Sequence, residues 1–169
     1  MSEAIKHECG IALIRLRKPL DHYQQRYGTA LYGLNKLYLL MEKQHNRGQD
    51  GAGVATIKLD PSPGLNYIDR ERSTDKQAIQ KIFGMIHRGH ANALASDPSR
   101  ANDAAFLKEN MPFMGEVLMG HLRYATFGRD GLENCHPRRR LNNWMTRNLV
   151  VAGNFNMTNV DALFDKLVS

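Results

Sequence analysis

The apolar residues of this chain fall in short blocks that switch between two periods, and the order of the blocks limits the fold more than any other feature. Residues 9–16, "CGIALIRL", are rich in Ile, Leu and Ala and read as a strand. Residues 29–43 carry Leu31, Leu34, Leu37, Tyr38 and Met41 at helical spacing, which predicts a helix facing the core. "QHNRGQDGAG" follows, where glycines and Asn46 signal an irregular turn. "VATIKL" then reads as a strand, "DPSPG" as a turn and "LNYIDRE" as the second arm of a hairpin. Thr74 with Gln77 predicts a capping box for a helix running towards Ile86. "SDPSRANDAAFLKEN" reads as one further helix with Pro98 in its first turn. A strand starts at Glu116 in "GEVLMGHLRYAT", the loop "TFGRDGLENCHPRRR" follows, and "NLVVAGNFN" is a last strand. Thr158 then caps a closing helix, with Asp161 in its first turn. Strand pairs and helices stand in blocks, which predicts an α+β fold rather than a doubly wound parallel sheet.

The chain has 169 residues, enough for one domain with a core and too few to expect two. No apolar stretch approaches the roughly 18 to 20 residues that span a bilayer, so no membrane partner is expected. The start, "MSEAIKHE", lacks the apolar segment of a secretory signal. Two cysteines, far apart, make no disulfide framework, and a cytoplasmic protein is expected. The formal charge of +6 is dispersed apart from "RLRK" at Arg15 and "PRRR" at Pro137. Neither run carries the ligand spacing or aromatic pattern of a nucleic-acid module, so a solvated basic surface is expected and nucleic acid is not. Cys135, His136 and His121 lack metal-ligand spacing, and no metal is expected. Met111, Met114 and Met119 read as core filler.

Chemistry gathers in four polar clusters at strand ends or on glycine-rich turns: Cys9-Gly10, "NRGQDGAG", "GHLRYATFG" and "GNFNMTN". They supply a possible nucleophile in Cys9, cationic anchors in Arg47 or Arg123, and amide donors around Asn154. Those are the parts needed for acyl transfer from an amide through a thioester. A thiolate attacks, fixed donors hold the oxyanion, and an arginine fork holds a substrate carboxylate.

In order and rough spacing, "CGIALI", "QHNRGQDGAG", "GHLRYATFG" and "VAGNFNMTN" resemble the class II glutamine amidotransferases, which are N-terminal-nucleophile hydrolases. Tyr124 after the arginine makes the chain most similar to the glutaminase half of the amidophosphoribosyltransferases. The resemblance runs from Cys9 to the end of the chain, with no motif in residues 61–114. It implies a four-layer αββα sandwich, with a propeptide at residues 1–8 and the amidotransferase domain at residues 9–169. It further implies that this domain is truncated at its C-terminal end and that a phosphoribosyltransferase domain is missing.

By the same resemblance, Cys9 attacks the glutamine side-chain amide and its own α-amine is the general base. Such an amine titrates near pH 7.7 to 8.0, matched to moving a proton at neutral pH. Arg123 binds the glutamine α-carboxylate, and Arg47 and Thr126 shape the pocket. Asn154 donates to the oxyanion together with the backbone N–H of Phe155, which stands where the family has glycine. The ammonia passes to phosphoribosyl pyrophosphate in purine synthesis. The glutaminase step needs no cofactor, magnesium belongs to the missing domain, and the full-length enzyme is expected to be a homo-oligomer. While residues 1–8 remain attached, the nitrogen of Cys9 is a peptide amide, and the chain is expected to be an inactive proenzyme. A glutaminase serving a sugar phosphate and a catalytically dead regulatory module are the alternative expectations, with a cysteine hydrolase of another amide behind them.

Overall fold

The computed structural model describes residues 8–125, 131–154 and 159–168. The first strand, β1 (Gly10–Arg15), is followed by helices α1 (Leu20–Tyr27) and α2 (Tyr32–Lys43). A 3₁₀ turn at His45–Arg47 leads into the hairpin β2 (Gly51–Ile57) and β3 (Ile68–Ser73). Helices α3 (Ala78–Leu94) and α4 (Ala104–Asn110) come next, then β4 (Val117–Arg123). A short hairpin of β5 (Arg138–Arg140) and β6 (Leu149–Val151) precedes α5 (Val160–Val168). The fold is α+β, as the block order predicts.

β1, β4, β2 and β3 lie side by side in that order, every pair antiparallel, and β5 pairs with β6 in a separate two-stranded sheet. Side chains alternate across a strand, so the larger sheet has one face for the helices and an opposite face turned away from them. Ala12, Leu118, Leu122, Ala52 and Val54 turn to the helix face and are buried with Leu34, Leu37 and Met41 of α2 and Ile79, Ile82, Phe83 and Ile86 of α3. Helix α2 crosses the sheet so closely that a Cβ on Gly120 would meet the Met41 sulfur at 2.6 Å. The core therefore sits between α2, α3 and the sheet.

The opposite face is covered at its β2–β3 side by the chain after β4. The Arg72 guanidinium donates to the Cys135 carbonyl (2.8 Å), Arg139 donates to the Ile68 carbonyl (2.8 Å), and Asn148 reaches the Tyr67 hydroxyl. Ile11 and Leu13 of β1, on the same face, are exposed.

Several elements differ from the sequence expectation, each for a local reason. Thr74 and Gln77 form no capping box. The Asp75 carboxylate takes the Gln77 N–H (3.0 Å), and the helix begins one residue later, at Ala78. Residues 96–110 make two short pieces rather than one helix. Asp97 caps a 3₁₀ turn at Pro98–Asn102, and Asp103 caps α4 by accepting from the Phe106 N–H at 2.9 Å. "GAG" belongs to β2 rather than to the turn before it, and α1 and β5 are elements not anticipated. Thr158, the expected cap of α5, lies outside the described residues.

Gly89 is an exposed residue inside α3, with open space where a Cβ would stand. Gly89→Ala should stabilise the protein by about 1 kcal/mol, because glycine in a helix interior gives away backbone entropy that alanine does not. Urea unfolding followed by circular dichroism reads the gain.

Candidate active site

The ends of β1 and β4 meet where the motif residues gather. Gly10 pairs with Leu122, so Cys9 and Arg123 are the next residues outward on the two strands. Cys9 is half-buried there. The Tyr124 N–H donates to its sulfur at 3.4 Å, and the thiol stands 3.8 Å from the Tyr124 carbonyl. A backbone donor on the sulfur fixes where the thiol points.

The turn after α2 wraps the same end of the sheet. Arg47 is exposed, and its Cβ lies 3.4 Å from where a side chain on Gly10 would begin. Gly48 is buried against β4, and a Cβ on it would stand 2.6 Å from the Arg123 carbonyl group. Two bonds from Asp50 fix the approach. Its N–H donates to the Arg123 carbonyl at 3.0 Å, and its carboxylate accepts from the Ala125 N–H at 2.8 Å. "RGQD" therefore holds the chain on either side of Tyr124.

Behind the sulfur lies a buried polar layer. Arg123 is only 6% exposed. Its guanidinium faces Cys135, whose thiol is pushed up by burial and pulled part of the way back by that arginine. Cys135 is fully buried and close to the Ser73 carbonyl (3.9 Å). The rings of His121 and His136 pack with centroids 4.9 Å apart. Nδ1 of His136 lies 3.1 Å from the Gly153 carbonyl oxygen and 3.3 Å from its nitrogen. That contact brings the start of "GNFN" onto the face that carries Arg123, and Asn154 follows as an exposed residue.

His121 is buried on this face, and burial first, then the charges of His136 and Arg123, hold its pKa down at about 4, against a pull from the Gly153 backbone. In the unfolded chain its pKa is near 6.5, so the folded state loses stability wherever the proton prefers the unfolded form. The loss begins as pH falls through about 6.5 and is complete below about 4, reaching about 3 kcal/mol for this group. The urea midpoint should fall steadily across that window, and His121→Leu should flatten the fall. His90 and His136, also lowered by burial, supply what remains.

The structure thus brings Cys9, Arg47 and Arg123 to one end of the sheet, and leads Asn154 onto the face of Arg123. Thr126 and Phe155 lie outside the described residues. Asp50, the Tyr124 N–H, His121 and His136 were not anticipated as parts of the site. Asp50 and His121 lie inside the quoted motifs, but nothing in the sequence says that one ties the turn to β4 or that the other backs the Gly153 chain. Among the described residues no group of three or more His, Cys, Asp or Glu side chains is placed to hold a metal ion. Compared with family models, curated proteins and solved structures, the chain matches none.

Proposed function

We propose that this protein is a glutamine amidotransferase domain of the class II kind, which hydrolyses glutamine to glutamate and ammonia through a thioester on Cys9. The observation that carries the reading is the meeting of Cys9, the Tyr124 N–H, Arg47 and the Arg123 strand end at one end of an antiparallel sheet. Helices on one face of that sheet, and the start of a second sheet on the other, support an αββα sandwich.

The chemistry requires a free amine at Cys9. With residues 1–8 removed, the α-amine takes the thiol proton as the sulfur attacks the glutamine δ-carbon. The tetrahedral oxyanion is held by the side-chain N–H of Asn154 and the backbone N–H of Phe155. Collapse expels ammonia, which leaves with the proton held by the amine. Water then attacks the thioester, the amine takes its proton, and glutamate and the free thiol are restored. A guanidinium fork holds the α-carboxylate, the role assigned to Arg123 with Arg47 at the rim. Glycine after the asparagine would tolerate any φ, whereas Phe155 confines the second donor to ordinary backbone. The ammonia acceptor in this reading is phosphoribosyl pyrophosphate, which rests on Tyr124 in "RYATFG".

A glutamine analogue carrying an electrophilic carbon in place of the amide tests the assignment. A chain beginning at Cys9 should take up one equivalent, peptide mapping should place it on Cys9, and free glutamine should protect. Labelling of Cys135 instead, or equal labelling of a chain that retains residues 1–8, would count against the reading.

A further inference from the structure

The other end of β4 holds a second polar site, about 20 Å from Cys9 along a seven-residue strand. Lys58 follows β2 and is only 5% exposed. Its side chain makes no hydrogen bond or ion pair among the described residues. It lines a cavity of about 120 Å³ with Lys108, Asp60, Ser62, Leu65 and Glu109. That is roughly the volume of four liquid waters, enough for a carboxylate of two or three carbons.

The neighbouring groups are already engaged. Glu116 accepts from Lys108 (2.5 Å) and from the Leu59 N–H (2.8 Å), and Lys108 also donates to the Leu59 carbonyl (2.6 Å). Asp69 accepts from the Phe113 N–H and from Asn66, both at 2.9 Å. His90, against Asp69, sits on the Pro112 carbonyl (2.6 Å), and burial keeps it towards its neutral form. Lys58 has Asp69 and Glu116 as its opposite charges and Lys108 as a like one, and its ammonium is paired with none of them. Asp60 and Glu109, exposed at the rim, repel a second negative charge on any ligand.

We propose that this cavity binds a small monocarboxylate, held by the Lys58 ammonium with Lys108 beside it. One carboxylate supplies the acceptors that Lys58 lacks. Burial lowers the Lys58 pKa, and a bound anion offsets that.

Acetate titrated against chloride at fixed ionic strength into the ¹⁵N-labelled chain tests the proposal. The amides of Leu59, Asp60 and Lys108 should move along a saturable curve. Lys58→Met should weaken the midpoint by about tenfold or more, as expected for losing a charged hydrogen-bond donor, while Lys58→Arg keeps binding. Phosphate as a dianion should bind more weakly than acetate. Non-saturable shifts, or the same midpoint in Lys58→Met, overturn it. Should Lys58→Met fail to fold, the Lys58 Cε resonance of the unmodified chain decides. It must shift saturably with acetate, and a resonance that stays in place overturns the proposal equally.

Discussion

Cys9→Ala should abolish ammonia release from glutamine by a chain that begins at residue 9, a fall of at least about ten-thousandfold, because removing a nucleophile leaves only binding and oxyanion stabilisation. Stability should scarcely change, since Cys9 is half-buried and its sulfur has one weak backbone donor. Cys135→Ala should do the reverse. That thiol is fully buried beside Gly51, where a Cβ would stand 2.7 Å from it, so its loss opens a cavity without touching the reacting sulfur. Glutamate production and urea midpoints on both variants give four numbers that must cross in this way. A Cys9→Ala chain that still makes glutamate would place the nucleophile elsewhere.

Gly53→Ala carries the second large effect. A Cβ on Gly53 would fall on the His136 carbonyl oxygen and 2.9 Å from the Pro137 ring. The obstacle is backbone, so the chain over β2 must move rather than a side chain turn aside. Overpacking of that kind costs about 3 kcal/mol. The functional loss should be larger than the stability loss suggests. His136 holds Gly153, the residue before Asn154, so displacing His136 displaces the proposed oxyanion donor. A shift of about 1 Å there costs about a hundredfold in kcat. The expected result is a folded chain with kcat down about a hundredfold or more and the analogue still reaching Cys9. An unchanged kcat would mean that Asn154 takes no part in the reaction.

The same glycine shows where the sequence was legible and where it was not. β1 and α2 could be read directly, because Ala12, Leu34, Leu37 and Met41 repeat at the period of their elements and are buried. "GAG" reads as turn because glycine punctuates local structure. It is strand because the His136 segment presses on Gly53, a contact between residues far apart in sequence. α1 carries no signal in the sequence because only Leu20 of its eight residues is buried, which leaves no apolar stripe. β5 is "RRR", a charged triplet with no strand pattern, and it pairs because β6 and the Ile68 carbonyl are within reach. Asp75 overrode the Thr74–Gln77 pattern by taking the Gln77 N–H first.

In the candidate site, Cys9 and Arg123 stand out in the sequence as reactive and charged residues at strand ends, and Arg47 as a charge on a glycine-rich turn. Their supports were not. Asp50 works by joining the turn after α2 to β4, and His121 and His136 by packing the loop before β5 onto β4. The Lys58 cavity was equally hidden, since it needs β2, α4 and the start of β4 to come together.

The most direct measurement compares glutamate formation by two forms of the protein, the chain as written and one that begins at Cys9, each with its N-terminus confirmed by mass spectrometry. The amine of Cys9 exists only in the second. Turnover by the Cys9-first chain and none by the other is the predicted result. Equal turnover by both, or none by a folded Cys9-first chain, would contradict an N-terminal cysteine glutaminase.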